Sequence, residues 1–140
     1  MTEAAIQEIR LKLLDVLRAD TTLQTLMGGT AADSRIYPYY RGQASITPAH
    51  PGFITYSMVA RTEAVYAVDS PVFSFAVWSL SEGRCSEITT RLETILNKEL
   101  FVTSGNDRIY VKLANDEDAF SEQPDYSGRR LTYRVGVSTC

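Results

Sequence analysis

The stretch SPVFSFAVWSLSEGRCSEI, residues 70–88, decides the fold. Its first half alternates. Phe73, Phe75 and Val77 fall on one side, and Val72, Ser74, Ala76 and Trp78 on the other, which is the period of a strand. The second side is only partly apolar, which predicts a central strand over 72–79 rather than a lone edge. Its second half changes to helical spacing. Cys85, Ile88, Leu92, Ile95, Leu96 and Leu100 make one stripe of a helix predicted over 84–100, with Arg84, Glu87, Arg91, Glu93 and Lys98 mainly off it. Between the halves lies a strand-to-helix joint, Ser79-Leu80-Ser81-Glu82-Gly83-Arg84. Nucleophiles and phosphate-binding loops occupy such joints in many proteins. This one matches neither G-x-S-x-G nor the glycine-rich phosphate loops. Its serines read as helix N-caps, Gly83 as relief for a tight turn, and Cys85 as a small buried hydrophobe. The alternative reading is a small ligand- or phosphate-binding module using the Ser79–Cys85 joint.

Upstream of the joint, FITYSMVA (53–60) is a second strand, and residues 62–68 continue it or turn back. Asp69-Ser70-Pro71 reads as the turn into the central strand. Three prolines, Pro38, Pro48 and Pro51, make residues 38–52 an irregular loop after a short strand at Ile36-Tyr37. The chain begins with an amphipathic helix over 2–18, capped by Thr2 and carrying Ile6, Ile9, Leu13 and Leu17. A short helix follows from an Asp20 cap and stops at Gly28-Gly29. Downstream, RIYVKL (108–113) is a strand, ANDEDAFSEQPDYSG (114–128) an acidic loop, and RRLTYRVGVST (129–139) a closing strand. The order α, α, β, β, β, α, β, β does not alternate regularly. It predicts a single α+β domain over 1–140. A mostly antiparallel sheet carries the N-terminal helix pair and the second amphipathic helix on one face.

Charge and composition narrow the function. The 140 residues are 44% hydrophobic and 22% charged, with a formal net charge of −3. That balance argues against tight non-specific nucleic-acid binding, which relies on a basic face. No apolar run reaches the roughly 20 residues that span a bilayer, and the N-terminus lacks the features of a signal peptide. Cys85 and Cys140 do not form a disulfide framework. The lone histidine, His50, has no cysteine or carboxylate near it at metal-ligand spacing. Asp116-Glu117-Asp118, with Glu122 and Asp125, lacks EF-hand spacing and reads as a solvated loop. No catalytic constellation and no cofactor motif is present, so the chain reads as a non-enzyme without a cofactor. Eight tyrosines, with Tyr37, Tyr39 and Tyr40 crowded before Arg41, suit a protein interface. In that reading Tyr37 packs inward, closing the sheet over helix 1, and the others meet a partner.

In this order and spacing the chain resembles the small tail-completion, or head–tail joining, proteins of long-tailed bacteriophages, the tail terminator-like family. The resemblance rests on IRLKLLDVLRADTTLQTLMGG (9–29) followed by RIYP (35–38), then PGFITYSMV (51–59), the unit FSFAVWSLSEGRCSEITTRLETILN (73–97) and the ending DYSGRRLTYRVGVS (125–138). It implies a structural subunit of the virion neck, made in the bacterial host cytoplasm, that forms a ring, commonly of six. The ring caps the tail tube, docks onto the head connector or stopper protein, and lets DNA pass through its lumen without specific binding. It implies no catalysis and no membrane. A closed ring requires two different complementary surfaces on each subunit. Tyr39, Tyr40 and Arg41 are candidates for one, and Arg61, Glu63, Tyr66 and Asp69 for the other. Asp116, Glu117, Asp118 and Glu122 are candidates for an acidic lumen-facing loop along which DNA slides.

Overall fold

In the computed structural model, residues 3–30, 32–39, 45–62, 70–97, 99–102, 107–119 and 126–139 are described. They form α1 (Glu3–Ala19), α2 (Thr21–Met27), β1 (Ile36–Pro38), β2 (Gly52–Thr62), β3 (Ser70–Ser79), α3 (Glu82–Leu96), β4 (Glu99–Val102), β5 (Asp107–Ala119) and β6 (Ser127–Thr139). The strands make one sheet in the order β1-β2-β3-β6-β5-β4. Only the β1–β2 pair is parallel. The α+β class and the mostly antiparallel sheet are as the sequence predicts.

β3 is central because both of its faces are buried. Phe73, Phe75 and Val77 meet the helices, and Ser74, Ala76 and Trp78 are covered on the other side. It pairs with β2 on one side and with β6 on the other. The helix-side core joins Ile9, Leu13, Leu14 and Leu17 of α1, Leu23 and Met27 of α2, and Cys85, Ile88, Leu92, Ile95 and Leu96 of α3 to the sheet. Burying each large aliphatic side chain contributes about 1.5–3 kcal/mol. Phe75 and Tyr133 meet edge-on within this layer at 6.0 Å between ring centroids.

Short polar devices fix the helix ends. The Asp20 carboxylate accepts from the Leu23 N–H at 2.8 Å and caps α2. The same carboxylate takes both arms of Arg91 of α3, at 3.0 and 2.6 Å, and so locks α2 to α3. Gly28 ends α2 in the left-handed region at φ 72°, and a β-carbon there would lie 2.3 Å from the Ala49 carbonyl oxygen. Only glycine satisfies both conditions.

Several sequence expectations are corrected. α3 ends at Leu96, not at residue 100. Asn97 caps it, donating its backbone N–H to the Glu93 carbonyl and accepting from the Leu113 N–H through its side chain. Residues 99–102 then form β4 against Arg108–Tyr110 of β5, because a short apolar run fits either period and edge pairing decides. Of the expected acidic loop over 114–128, residues 114–119 are the second half of β5, past a bulge between Leu113 and Asn115, Ser127 and Gly128 begin β6, and 120–125 lie outside the described residues. Acidic residues are poor strand formers. Here the register sets Glu117 opposite Arg130 and Asp118 opposite Arg129, and Asp116 binds Arg129 at 2.6 and 3.0 Å. Opposite charges across the ladder offset the propensity. Ser70 and Pro71 begin β3 rather than form a turn before it. Gly83 relieves no turn: it is the second residue of α3, and a β-carbon there would meet nothing within 4 Å.

Candidate functional site

All three helices pack on one side of the sheet, and the opposite side is where the structure offers surface. Strand alternation places Phe53, Thr55 and Ser57 of β2, Ser74, Ala76 and Trp78 of β3, and Gly128, Arg130, Thr132, Arg134 and Gly136 of β6 there. β5 adds Arg108, Tyr110, Lys112 and, beyond its bulge, Asn115 and Glu117. Among the described residues, one half of this face is roofed and the other is open.

The roofed half is a small aromatic cluster. Phe53 sits among Tyr37, Trp78 and Tyr126, with ring centroids 6.3, 6.4 and 6.4 Å away. Tyr37 is therefore buried, as expected, but on the side away from α1, because parallel pairing sets it beside Thr55. The roof includes Ile46, whose N–H donates to the Tyr126 hydroxyl at 3.0 Å. Arg35 ties this segment down. Its side chain is buried and donates to the carbonyls of Gly52 (3.1 Å), Ser45 (2.8 Å) and His50 (3.4 Å), with its cation 5.9 Å from the Phe53 ring centre. Arg35 holds φ at 63°, a left-handed value unusual for arginine. His50 is a tether. Its Nδ1 lies 2.8 Å from the Gly28 carbonyl oxygen, which can only accept, so Nδ1 carries the proton.

The open half is polar and basic. A depression of about 480 Å³ is lined by Tyr39, Thr55, Ser57, Ser74, Ala76, Glu117, Arg130 and Thr132. A second, of about 470 Å³, lies among Tyr110, Lys112, Leu113, Ala114, Arg134 and Gly136. Tyr39 is 67% exposed at the rim of the first, and Tyr110 is 39% exposed in the second. The alternation of β5 and β6 in the sequence marks these positions. Without knowledge that no helix covers this side, nothing marks them as a surface.

The strand-to-helix joint is a corner. Ser81 caps α3, accepting from the Arg84 N–H at 3.1 Å, and Ser79 is buried and donates to the Pro51 carbonyl at 2.8 Å. Cys85 is buried with its sulfur 3.7 Å from the Val77 carbonyl oxygen, and desolvation raises its thiol pKa, which leaves it a poor nucleophile. The hollow beside it, about 470 Å³, is lined by Glu82, Asp118 and Arg129 among others. Two carboxylates beside one cation that is already paired with Asp116 weigh against a phosphate there.

Of the predicted interface residues, Tyr39 is on the surface as expected, and Arg61 lies in β2 with its Cα paired to Pro71. Tyr40, Arg41, Glu63, Tyr66 and Asp69 lie outside the described residues, as does Glu122. The acidic set is split by the pleat: by register Glu117 is on the open face, and Asp116 and Asp118 are on the helix side.

No family model matches the chain, and no curated protein matches it. Among solved structures, a chain in the virion of a native gene transfer agent (GTA) particle is similar, with a TM-score of 0.63 and 16% sequence identity. The match covers 89% of this chain and 90% of that one. At that identity the likeness is one of fold, and it extends over nearly the full length of both chains.

Proposed function

We propose that the chain is a structural protein of a phage-type virion, acting in the neck. In this reading it forms a homo-oligomeric ring of six at the head-proximal end of the tail. The ring caps the tail tube, joins it to the head connector or stopper protein, and lets DNA through its lumen. The reading is supported chiefly by the fold likeness to a virion chain over nine-tenths of both lengths. It is supported further by the order of sequence elements from the paired N-terminal helices and RIYP to the closing RRLTYRV strand. The chain does no chemistry in this reading. Among the described residues Cys85 is a buried thiol with a raised pKa, and the depressions on the sheet face are half open to solvent.

Microscopy of particles assembled with and without the protein tests the assignment directly. A ring of density between connector and tube, absent from particles lacking the protein, is expected. Normal necks and tube lengths without it would overturn the reading. Alanine at Tyr40 and Arg41 is expected to weaken ring assembly. An unchanged oligomer mass by light scattering would remove that loop from the subunit contact.

A further inference from the structure

We infer that the open sheet face carrying Lys112, Arg130 and Arg134 is a weak, sequence-independent contact surface for the phosphates of duplex DNA. The inference takes its biological setting from the neck-ring reading, but its chemistry stands on the face alone.

The chain is acidic overall, at −3, yet the open face reverses the sign. By register it carries Arg108, Lys112, Arg130 and Arg134 against two carboxylates among the described residues, Glu117 and, opposite Tyr110, Glu99. Lys112 and Arg134 are directly opposite each other on neighbouring strands and line the same depression. Like charges in that relation destabilise a sheet. Among the described residues neither they nor Arg130 closes an ion pair, although Glu117 stands opposite Arg130 in the ladder. An external anion supplies what the fold does not.

The remaining residues of the face identify the anion. Beside Arg130 the half-buried Ser57 and Thr132 add hydroxyls, which with cations are the usual partners of backbone phosphates, while Thr55 and Ser74 lie buried beneath them. A protein partner of comparable size would be anchored by a cluster of buried apolar and aromatic side chains. This floor is small and polar, with aromatic area only at Tyr39 and Tyr110 on its rims. Base-edge reading needs a groove-filling helix or ribbon. Sheet faces can read bases where their strands enter a groove, but exposed cations and hydroxyls of this kind suit backbone phosphates. Three available cations neutralise about three phosphates, which places the contact in the weak, salt-labile regime. Such a contact lets DNA move, and a ring repeats it around the lumen.

The test is retention of the purified full-length protein on immobilised mixed-sequence duplex DNA at low ionic strength, followed by binding to a labelled duplex across a salt series. Wild type is expected to be retained, with log K falling against log salt at a slope of about −3. Lys112→Glu combined with Arg130→Glu and Arg134→Glu is expected to abolish retention while the circular dichroism spectrum and melting temperature stay close to wild type. A control with the same change in net charge on the helix side, Lys12→Glu with Arg18→Glu and Arg84→Glu, is expected to keep most of the binding. Wild type that is not retained, or a triple variant that still binds, overturns the proposal. Equal loss in both triple variants also overturns it, since net charge would then account for binding. A face variant that keeps DNA binding but fails to join particles makes the face a protein-docking surface instead. Absence of a neck ring with intact DNA binding defeats only the neck-ring reading.

Discussion

Gly128 lies directly against the Trp78 indole: a β-carbon built on it would fall 2.4 Å from Cζ3 and 2.6 Å from Cε3, and 2.9 Å from the Ala119 carbonyl oxygen. The register places the two residues opposite each other on β6 and β3. Gly128→Ala is therefore expected to destabilise the fold by about 1–3 kcal/mol, the range for overpacking. Urea unfolding followed by tryptophan fluorescence measures it, with the sole tryptophan reporting on the site. Shrinking Trp78 in the same chain should recover only part of the loss, because the Ala119 carbonyl remains.

Arg35 does the work of a cross-link without a covalent bond. Arg35→Ala removes the side-chain donor from the Gly52 and Ser45 carbonyls, and one of two donors from the His50 carbonyl, which keeps the Thr47 N–H. A loss on the order of 3 kcal/mol is expected, since these are charge-assisted bonds. Arg35→Gly should cost less than Arg35→Ala, because glycine adopts the left-handed backbone that alanine resists. The order of the two in equilibrium unfolding checks the argument.

Asp20 has two roles that can be separated. Asp20→Asn keeps a capping oxygen and removes the charge that binds Arg91. Asp20→Ala removes both. The alanine variant is expected to be less stable than the asparagine variant by about 1 kcal/mol, the usual worth of a cap. Equal melting temperatures would assign the effect to the ion pair alone.

Alkaline pH should unfold the protein, and the sign follows from two groups. Burial raises the Cys85 thiol above its ordinary 9.0, and burial foremost raises the Tyr133 hydroxyl above its ordinary 10.0. In each case the unfolded chain loses its proton first. The stabilisation is complete below the ordinary value and is lost as pH rises towards the folded one. These two groups therefore add no pH dependence below about pH 9 and make stability fall above it. The Tyr133 hydroxyl is buried without a hydrogen-bond partner among the described residues. Tyr133→Phe should therefore be neutral to slightly stabilising at pH 7, and should flatten the decline above pH 10. Thermal melts across a pH series give both results.

Tyr39 is 67% exposed, so truncating it should leave the unfolding free energy within about 0.5 kcal/mol of wild type while reducing assembly into particles. Comparison of melting temperature with incorporation into virions checks both halves.

The sequence was most legible where one period ran unbroken. The alternation from Val72 to Trp78 and the stripe from Cys85 to Leu96 gave the central strand and its covering helix. Asp20 and Gly28 gave α2 its ends through their own local chemistry. Legibility failed where a distant partner decided. Asp116 and Asp118 belong to a strand because Arg129 and Arg130 lie across the ladder, which no local window contains. β4 exists because β5 offers it an edge. The open basic face was hidden for the same reason. Lys112 and Arg134 stand 22 residues apart in sequence and become neighbours only through the β5–β6 register.

β4 covers only Arg108–Tyr110 of β5. Among the described residues, no strand lies along the outer side of Asn115–Ala119, a free sheet edge bearing Asp116, Glu117 and Asp118. Free edges are where sheets from separate molecules join. Two copies meeting along this one would bring three carboxylates against three. Like charges facing each other there would disfavour pairing of two copies, less so at Asp116, which Arg129 already holds.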